Sequence, residues 1–325
     1  MSKHVKPSAT STISLALMVV VVSSSPQANA QLSDTPQPLE DNLAEDGSVV
    51  AAGAELKQLA GEYAFTEGPA VDADGNVYFT DQPNDRIVKW NAADGSVEDW
   101  MKPAGRANGT WVDGKGNLIA CADNKNELWS IAPDKTVTVL LKDYDGKLLN
   151  GPNDVWERPD GGLYFTDPLY RRNYWQRDPA MQQDGQHVYF LAKGEKSAIK
   201  VAEDLRQPNG IIGTPDGKTL YVADIRAANT FVYDIKPDGQ LANKRLFCQQ
   251  GSDGMTIDHR GNIYLTGRGV TVFNKLGAPI AQISVPERWT ANVTFAGKDR
   301  DMLFITASRG IYVMKMRVQG AGGHR

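Results

Sequence analysis

Six oxygen-bearing side chains recur at one position of a repeated sequence pattern. The copies share a polar residue, a short apolar run, a turn built on Asp-Gly or Gly-Asn, and a second apolar run. The residues at the leading position are Glu67, Asn108, Asn153, Asn209, Asp253 and Asn292. With two carboxylates, four amides and neither His nor Cys, they form a hard-oxygen donor set of the kind that Ca²⁺ binds.

Other ions and a reading without a metal are both compatible with the pattern. Mg²⁺ and Mn²⁺ use the same oxygens, and Zn²⁺ is a further alternative although its structural sites use thiolate or imidazole. Asn-Gly and Asp-Gly also form turns, which explains any one of the six positions by itself. Six at one register favour a binding site for one divalent cation, with Ca²⁺ as the first choice.

The spacing of the repeats predicts the fold that brings these side chains together. Successive leading residues are 41, 45, 56, 44 and 39 positions apart, and a period of about 40–50 residues with several short strands is typical of a β-propeller blade. The sequence therefore predicts an all-β, six-bladed β-propeller. Its last repeat has three strands, so we expect a segment near residues 55–60 to add the fourth and close the ring. The first strand of each blade lines the channel, which gathers the leading residues on one face.

The third repeat is interrupted by a long connection from Asp167 to Gln186. It should overhang the same face, and it carries Arg171 and Arg172 among several aromatic residues. Such a loop is typical of a lid that recognises a polar substrate, with a packed surface loop as the alternative. Four aspartates end the second strand of a repeat on this face, and they either fix the candidate ligand amides or cap turns. They are Asp81, Asp123, Asp167 and Asp224.

The two ends of the chain lack the repeated pattern. Residues 1–30 have a weakly basic start, an apolar stretch of about ten residues and an Ala-Asn-Ala motif, which predicts a secretory signal peptide too short to anchor in a membrane. We therefore expect export to the periplasm or the cell exterior. Residues 31–53 are expected to form a linker of disordered composition, residues 54–318 the propeller and residues 319–325 a frayed tail.

Composition narrows the range of partners. A net charge of −4 gives none of the basic footprint that nucleic-acid binding requires, so a small molecule is the expected partner. Cys121 and Cys248 lie in apolar strands. Buried free thiols are favoured there over a disulfide, and neither residue has the neighbours of a catalytic cysteine. No feature of the sequence indicates an oligomeric state.

Taken together, the repeated motifs resemble the SMP-30/gluconolactonase/LRE-like family over roughly residues 55–318. The matching segments are residues 67–69, 149–155 with 164–168, 208–210, 252–254 and 292–309. The resemblance implies a six-bladed propeller with a divalent ion on its axis. It also implies hydrolysis of a sugar lactone or a related ester.

The resemblance assigns roles to four of the leading residues. It implies a metal-binding acid at Glu67, amide ligands at Asn153 and Asn209, and a metal-bound catalytic aspartate at Asp253. A divalent ion would polarise the lactone carbonyl. Asp253 would then act as general base on a water, or as the attacking carboxylate.

One departure from the family affects substrate recognition. Some members have an arginine two residues before the leading Asn of the third repeat, where this chain has Gly151. Substrate hydroxyls must therefore meet other groups. The candidates are Asn150, Arg171 and Arg172, with Asn108 and Asn292 orienting water or substrate.

The expected function is that of a secreted, calcium-dependent lactonase similar to gluconolactonases. Two alternatives stay open. A phosphotriesterase-like hydrolase could use the same ion on a phosphoryl oxygen, and a non-catalytic propeller could bind a ligand around a structural ion.

Overall fold

Each sequence repeat forms one four-stranded antiparallel sheet, and the six sheets make a β-propeller. The computed structural model describes residues 49–322. The predicted signal peptide, most of the predicted linker and the last three residues of the tail lie outside the described residues. The strands are β1 (Lys57–Ala60), β2 (Thr66–Val71), β3 (Val77–Asp81), β4 (Arg86–Trp90), β5 (Val97–Met101), β6 (Ala107–Val112), β7 (Leu118–Ala122), β8 (Glu127–Ile131), β9 (Val137–Leu141), β10 (Val155–Glu157), β11 (Leu163–Asp167), β12 (His187–Leu191), β13 (Ile199–Ala202), β14 (Pro208–Gly213), β15 (Thr219–Asp224), β16 (Asn229–Ile235), β17 (Leu241–Cys248), β18 (Met255–Ile257), β19 (Ile263–Gly267), β20 (Gly269–Phe273), β21 (Pro279–Ile283), β22 (Thr290–Ala296), β23 (Met302–Ala307) and β24 (Gly310–Lys315).

Five blades use consecutive strands, and the first strand of the chain closes the sixth. The sheet orders are β2-β3-β4-β5, β6-β7-β8-β9, β10-β11-β12-β13, β14-β15-β16-β17, β18-β19-β20-β21 and β1-β24-β23-β22. β1 runs antiparallel to β24, with Lys57 opposite Val313. The predicted six-bladed propeller, closed by a strand near residues 55–60, is therefore confirmed.

Both ends of the propeller extend further than the sequence predicted. Val49 is fully buried and Val50 bridges to Met316, so the linker does not reach residue 53. At the other end the N–H of Gly320 donates to the carbonyl of Arg300 over 2.8 Å. The N–H of Ala321 donates to the carbonyl of Ile257 over 3.0 Å. The chain is therefore attached through residue 321, and the prediction that it frays from residue 319 is wrong.

Inner and outer strands differ in burial because the sheets pack face to face around the ring. Every residue of β7 and of β11 is buried, whereas the outer strands β5 and β9 each expose two residues. Strands that are covered on both faces carry apolar side chains on both, as these do. Aromatic contacts cross between blades, for example between Phe79 and Phe304, whose ring centroids are 5.9 Å apart. This packing fixes the innermost strands relative to one another.

Glycines set how closely the innermost strands β2, β6, β10, β14, β18 and β22 approach. A Cβ on Gly254 would lie 1.9 Å from the side chain of Asn292, and one on Gly109 would lie 2.4 Å from the carbonyl oxygen of Asn153. Each of these glycines leaves room for the leading residue of the next blade. The Asn-Gly and Asp-Gly pairs therefore serve the packing of neighbouring blades as well as the turn.

Helices and disulfides contribute little to the part of the chain that the structure describes. Its one helical element is the 3₁₀ turn Gln82–Asn84, and none of its helices is long and apolar enough to cross a membrane. Cys121 and Cys248 are buried and unpaired, which confirms the favoured reading. Burial raises the pKa of the Cys121 thiol, as expected of an inert structural cysteine.

Candidate active site

The six leading residues lie at one end of the innermost strands. Four of them are the second or third residue of their strand, and the other two come two residues before it. Threonine hydroxyls of neighbouring blades hold the backbone in place. Thr80 donates to the carbonyl of Asn108 over 3.0 Å, and Thr166 donates to that of Asn209 over 2.8 Å. All six leading residues are buried except Asp253, which keeps partial solvent access.

Glu67 lies where the first blade meets the last. Its Oε2 accepts the N–H of Gly68 at 2.8 Å and the Nδ2 of Asn292 at 3.3 Å. The Oδ1 of Asn292 accepts the N–H of Val293 at 2.8 Å, which fixes the orientation of the amide. Asn292, predicted to orient water or substrate, therefore contacts the first predicted metal ligand directly.

The amide of Asn209 connects Asp253 to the blade-three loop, which we define as residues 168–186 between β11 and β12. Its Nδ2 donates to the Oδ1 of Asp253 at 2.7 Å and to the hydroxyl of Tyr170 at 2.8 Å. The Nε1 of Trp289 donates to the other carboxylate oxygen of Asp253 at 2.6 Å. Both oxygens of Asp253 thus have a donor, and the carboxylate has a fixed orientation.

Asp154 adds a third carboxylate to the site. It is buried, and its Oδ1 accepts the N–H of Val155 at 3.0 Å. The charge of Asp154 interacts with those of Glu67 and Asp253. The carbonyl of Asn153, the preceding residue, accepts a 2.7 Å hydrogen bond from the backbone of the second blade. Asn153 therefore lies at the same end of the ring.

Removal from water raises the pKa of all three carboxyl groups. Burial, followed by repulsion from Asp253, raises the pKa of Glu67 well above its ordinary value. Burial raises the pKa of Asp154 to about 7. The pKa of Asp253 is also raised by burial, although the hydrogen bonds from Trp289 and Asn209 lower it. Within the described residues none of the three carboxylates forms an ion pair, and only Asp253 has an arginine, Arg172, near enough to lower its pKa. A divalent cation would supply the missing positive charge.

Unpaired amide oxygens at this end also indicate that a cation is needed. The Oδ1 atoms of Asn108 and Asn209 are buried and have no hydrogen-bond partner within the described residues, although buried oxygens are normally paired. Across residues 49–322, His, Cys, Asp and Glu alone do not form a metal-binding group of three or more, so amide oxygens must complete any site. Carboxylates combined with amide oxygens suit Ca²⁺ or Mg²⁺. The predicted set Glu67, Asn153, Asn209 and Asp253 therefore fits a hard divalent cation.

The blade-three loop reaches the site through Tyr170 and Arg172. The guanidinium of Arg172 lies 5.4 Å from the centroid of the Tyr170 ring, and its charge lowers the pKa of Asp253. Arg171 is exposed. Of the two arginines predicted to recognise the substrate, the structure brings Arg172 to the site and leaves Arg171 at the surface.

Asn150 has a different role from the one predicted. Its Nδ2 donates to the carbonyls of Asp167 and Gly185, and its Oδ1 accepts the N–H groups of Gln182 and Gln183. Because the side chain is fully buried and the protein satisfies its amide on both sides, it has no group left for a substrate. Asn150 anchors the far end of the blade-three loop, and its prediction as a substrate-binding residue is wrong.

Three of the four aspartates at the strand ends cap the chain that leads into the first strand of their own blade. Each accepts two successive backbone N–H groups there. These are the N–H groups of residues 64 and 65 for Asp81, 150 and 151 for Asp167, and 206 and 207 for Asp224. The capping alternative therefore holds for these three, and Asp123 differs from them.

The sequence and the fold are similar to those of known proteins. The model of the SMP-30/Gluconolactonase/LRE-like region matches residues 65–309. The chain belongs to this family. A gluconolactonase from Zymomonas mobilis subsp. mobilis is 26% identical over 303 residues, covering 84% of each chain. Among solved structures, a gluconolactonase from Xanthomonas campestris has a TM-score of 0.77 at 27% identity, covering 84% of this chain and 93% of that one. Regucalcin from Agrobacterium tumefaciens, a calcium-binding protein, has the same fold, with a TM-score of 0.67 at 20% identity, covering 82% of this chain and 94% of that one.

Three residues at the site of this SMP-30-family protein were not among the predicted site residues. Asp154 could have been found, because it directly follows a leading residue in the Asn-Asp pair of the third repeat. Tyr170 and Trp289 lie in connections outside the strands. Nothing in the spacing of the repeats indicates that their polar atoms reach Asn209 and Asp253.

Proposed function

We propose that the protein is an exported, divalent-cation-dependent lactonase that opens sugar lactones. The gluconolactonase relatives support a hydrolase that acts on cyclic esters. The sugar lactone as substrate, Ca²⁺ as the ion and export by the signal peptide of residues 1–30 are our proposals. The observation that carries the proposal is the group Glu67, Asn209 and Asp253, where two carboxyl groups with pKa values raised by burial and no ion-pair partner within the described residues meet an unpaired amide oxygen.

In this proposal Glu67, Asn153, Asn209 and Asp253 hold the cation. When bound, the ion supplies Lewis-acid polarisation of the lactone carbonyl. The oxygen donors and the calcium-binding relative support a divalent cation, with Ca²⁺ as the first choice and Mg²⁺, Mn²⁺ or Zn²⁺ as alternatives.

Asp253 acts as the general base. It is the only one of the leading carboxylates with solvent access, so a water can reach it and lose a proton to it. Hydrogen bonds from Trp289 and Asn209 keep the carboxylate pointing in one direction, as proton transfer from a positioned water requires. Arg172, held beside Tyr170 at the edge of the site, is the candidate to bind the hydroxyl groups of the substrate.

Lactone hydrolysis by the purified protein tests the proposal. We expect turnover of glucono-δ-lactone and other aldonolactones, measured by the release of acid. The activity should be lost after treatment with EDTA and should return when Ca²⁺ is added. Metal analysis of the untreated protein should find about one ion per chain, and Glu67→Gln should reduce that content because it removes a charged ligand.

The other readings predict different results from the same assays. Turnover of a phosphotriester without turnover of any lactone would favour a phosphotriesterase-like hydrolase. Bound metal without hydrolysis of either ester class would favour a ligand-binding propeller. Full activity after complete removal of metal would contradict the role of the cation.

A further inference from the structure

Asp123 differs from the three other aspartates that end a second strand. The chain that leads into β6 takes its cap from another residue, because the N–H groups of Ala104 and Arg106 donate to the Oδ1 of Asp85 at 3.1 and 2.6 Å. The carboxylate of Asp123 accepts no backbone N–H group within the described residues. It directly follows the second strand of its blade, whereas each counterpart is the last residue of its strand, and it is not needed as a cap.

The carboxylate of Asp123 binds the blade-three loop instead. Its Oδ2 accepts the Nε of Arg172 at 3.0 Å and the hydroxyl of Tyr174 in a short hydrogen bond, and its main-chain carbonyl accepts the Nε1 of Trp175 at 2.9 Å. A longer hydrogen bond of 3.3 Å comes from the Nε2 of Gln82 in the first blade. The Asp123 side chain is 4% exposed, so these contacts are shielded from solvent. Hydrogen bonds to a shielded carboxylate are among the stronger ones in proteins.

Gly151 makes room for this arrangement. A Cβ at that position would lie 2.9 Å from the Oδ1 of Asp123 and 3.4 Å from the ring of Trp175. A long side chain there would displace both groups. The attachment of the loop to Asp123 therefore requires a residue without a side chain at position 151.

The attachment leaves part of Arg172 available at the site. Asp123 binds the Nε of Arg172, while neither terminal nitrogen of the guanidinium has a protein partner within residues 49–322. The side chain is 25% exposed. It lies over the ring of Tyr170, whose hydroxyl contacts the Nδ2 of Asn209. Two donor groups and a tyrosine hydroxyl thus lie together next to Asn209 and Asp253.

We propose that Asp123 is a positioning residue for substrate specificity, which holds Arg172 and Tyr170 so that they bind the hydroxyl groups of a lactone. This inference rests on the proposed lactonase function. The terminal nitrogens of Arg172 donate to hydroxyl oxygens of the substrate. The hydroxyl of Tyr170 forms a hydrogen bond with an adjacent hydroxyl group of the same substrate. The preferred substrates are therefore polyhydroxylated lactones, and a lactone without hydroxyl groups gains nothing from Asp123.

Kinetics of Asp123→Asn on two lactones test the inference. We expect KM for glucono-δ-lactone to rise roughly tenfold or more, the effect of weakening a charged hydrogen bond, while kcat changes little because the contact is made in both ground and transition state. For δ-valerolactone, which has the same ring without hydroxyl groups, both constants should stay close to those of the wild type.

Two further variants separate positioning from general damage to the fold. Asp224→Asn changes a strand-end aspartate that caps its own blade, so we expect it to lower the unfolding midpoint and to affect both lactones by the same factor. Arg172→Gln changes a partly exposed loop residue and should raise KM for glucono-δ-lactone more than KM for δ-valerolactone. Because it also removes a charge that acts on Asp253, any change in kcat should be shared by both lactones. Combining it with Asp123→Asn should add little, because both substitutions remove the same interaction.

The outcomes distinguish this inference from the proposed function. A wild-type protein that opens neither lactone contradicts the proposed function. A wild-type protein active on both, with Asp123→Asn and Arg172→Gln changing the two lactones equally or not at all, contradicts the role of Asp123 alone.

Discussion

The two ends of the innermost strands differ in what they bury. At the end where these strands begin, carboxylates and amides crowd together, among them Glu67, Asn209 and Asp253. At the end where they finish lies a cavity of about 600 Å³, lined by Trp111, Trp156 and other residues of the strand ends. None of the predicted metal ligands lines that cavity.

This contrast shows that an open cavity is a poor guide to the chemistry of the protein. The cavity is lined by tryptophan rings together with acidic and basic side chains, among them Glu157 and Arg158. The other end holds carboxyl groups with raised pKa values and buried amide oxygens without partners within the described residues. Groups in that state are typical of functional sites, whereas an open volume is compatible with imperfect packing along the axis. This difference supports our proposal that the active site lies at the start of the innermost strands.

The largest effect expected from this comparison is that of Asp253→Asn. We expect kcat for lactone hydrolysis to fall by about 10²–10⁴-fold, the usual contribution of a general base, while an amide of nearly the same shape keeps the local packing. The unfolding midpoint should stay within a few degrees of the wild type, because the substitution also removes repulsion with Glu67. Stopped assays at saturating lactone together with thermal melts measure both quantities. Retention of activity would mean that Asp253 is not the base.

The sequence predicted the leading residues of this site better than the residues from connections that form its rim. The leading residues follow from the repeat spacing, because a propeller must bring equivalent positions of its blades to one end of the channel. The rim is formed by Tyr170, Trp289 and the blade-three loop, whose path depends on contacts with residues far away in the chain. Asn150 illustrates the limit. Its type and position suit substrate binding, but only the folded loop shows that its hydrogen bonds are already used.

A second prediction concerns the buried carboxyl group of Asp167, the last residue of β11, where the blade-three loop begins. Burial raises its pKa from 3.8 to about 7, although the backbone N–H groups of Gly151 and Asn150 lower it and Asp123 lies nearby. Between these two pH values the folded protein holds a proton that the unfolded chain has lost. The contribution of Asp167 to stability is therefore complete below about pH 4 and is lost as the pH rises towards 7.

Denaturant unfolding at several pH values tests this prediction against Asp167→Asn. One proton changes the free energy of unfolding by at most about 1.4 kcal/mol per pH unit, and we expect a fraction of that. The wild type should lose stability relative to Asp167→Asn as the pH rises from 4 to 7. A constant difference between the two proteins over this range would show that Asp167 is ionised in the fold at all these pH values.

The smallest effect on activity is expected from Asp258→Asn, at the opposite end of β18 from Asp253. Asp258 is buried and accepts hydrogen bonds from the N–H groups of Arg260 and Asn262 and from the hydroxyl of Tyr264. In the wild type the side chain of Asn262 donates to the Asp258 carboxylate at 2.7 Å. An amide at residue 258 keeps one acceptor oxygen but places an NH₂ group opposite this donor. We expect a loss of about 1–2 kcal/mol in the free energy of unfolding, measured in urea, with kcat/KM within about twofold of the wild type because the site lies at the other end of the strand. Asp253→Asn and Asp258→Asn thus make the same substitution on either side of the three-residue strand β18. A large loss of kcat in a folded Asp258→Asn protein would show that the far end of the channel also takes part in the reaction.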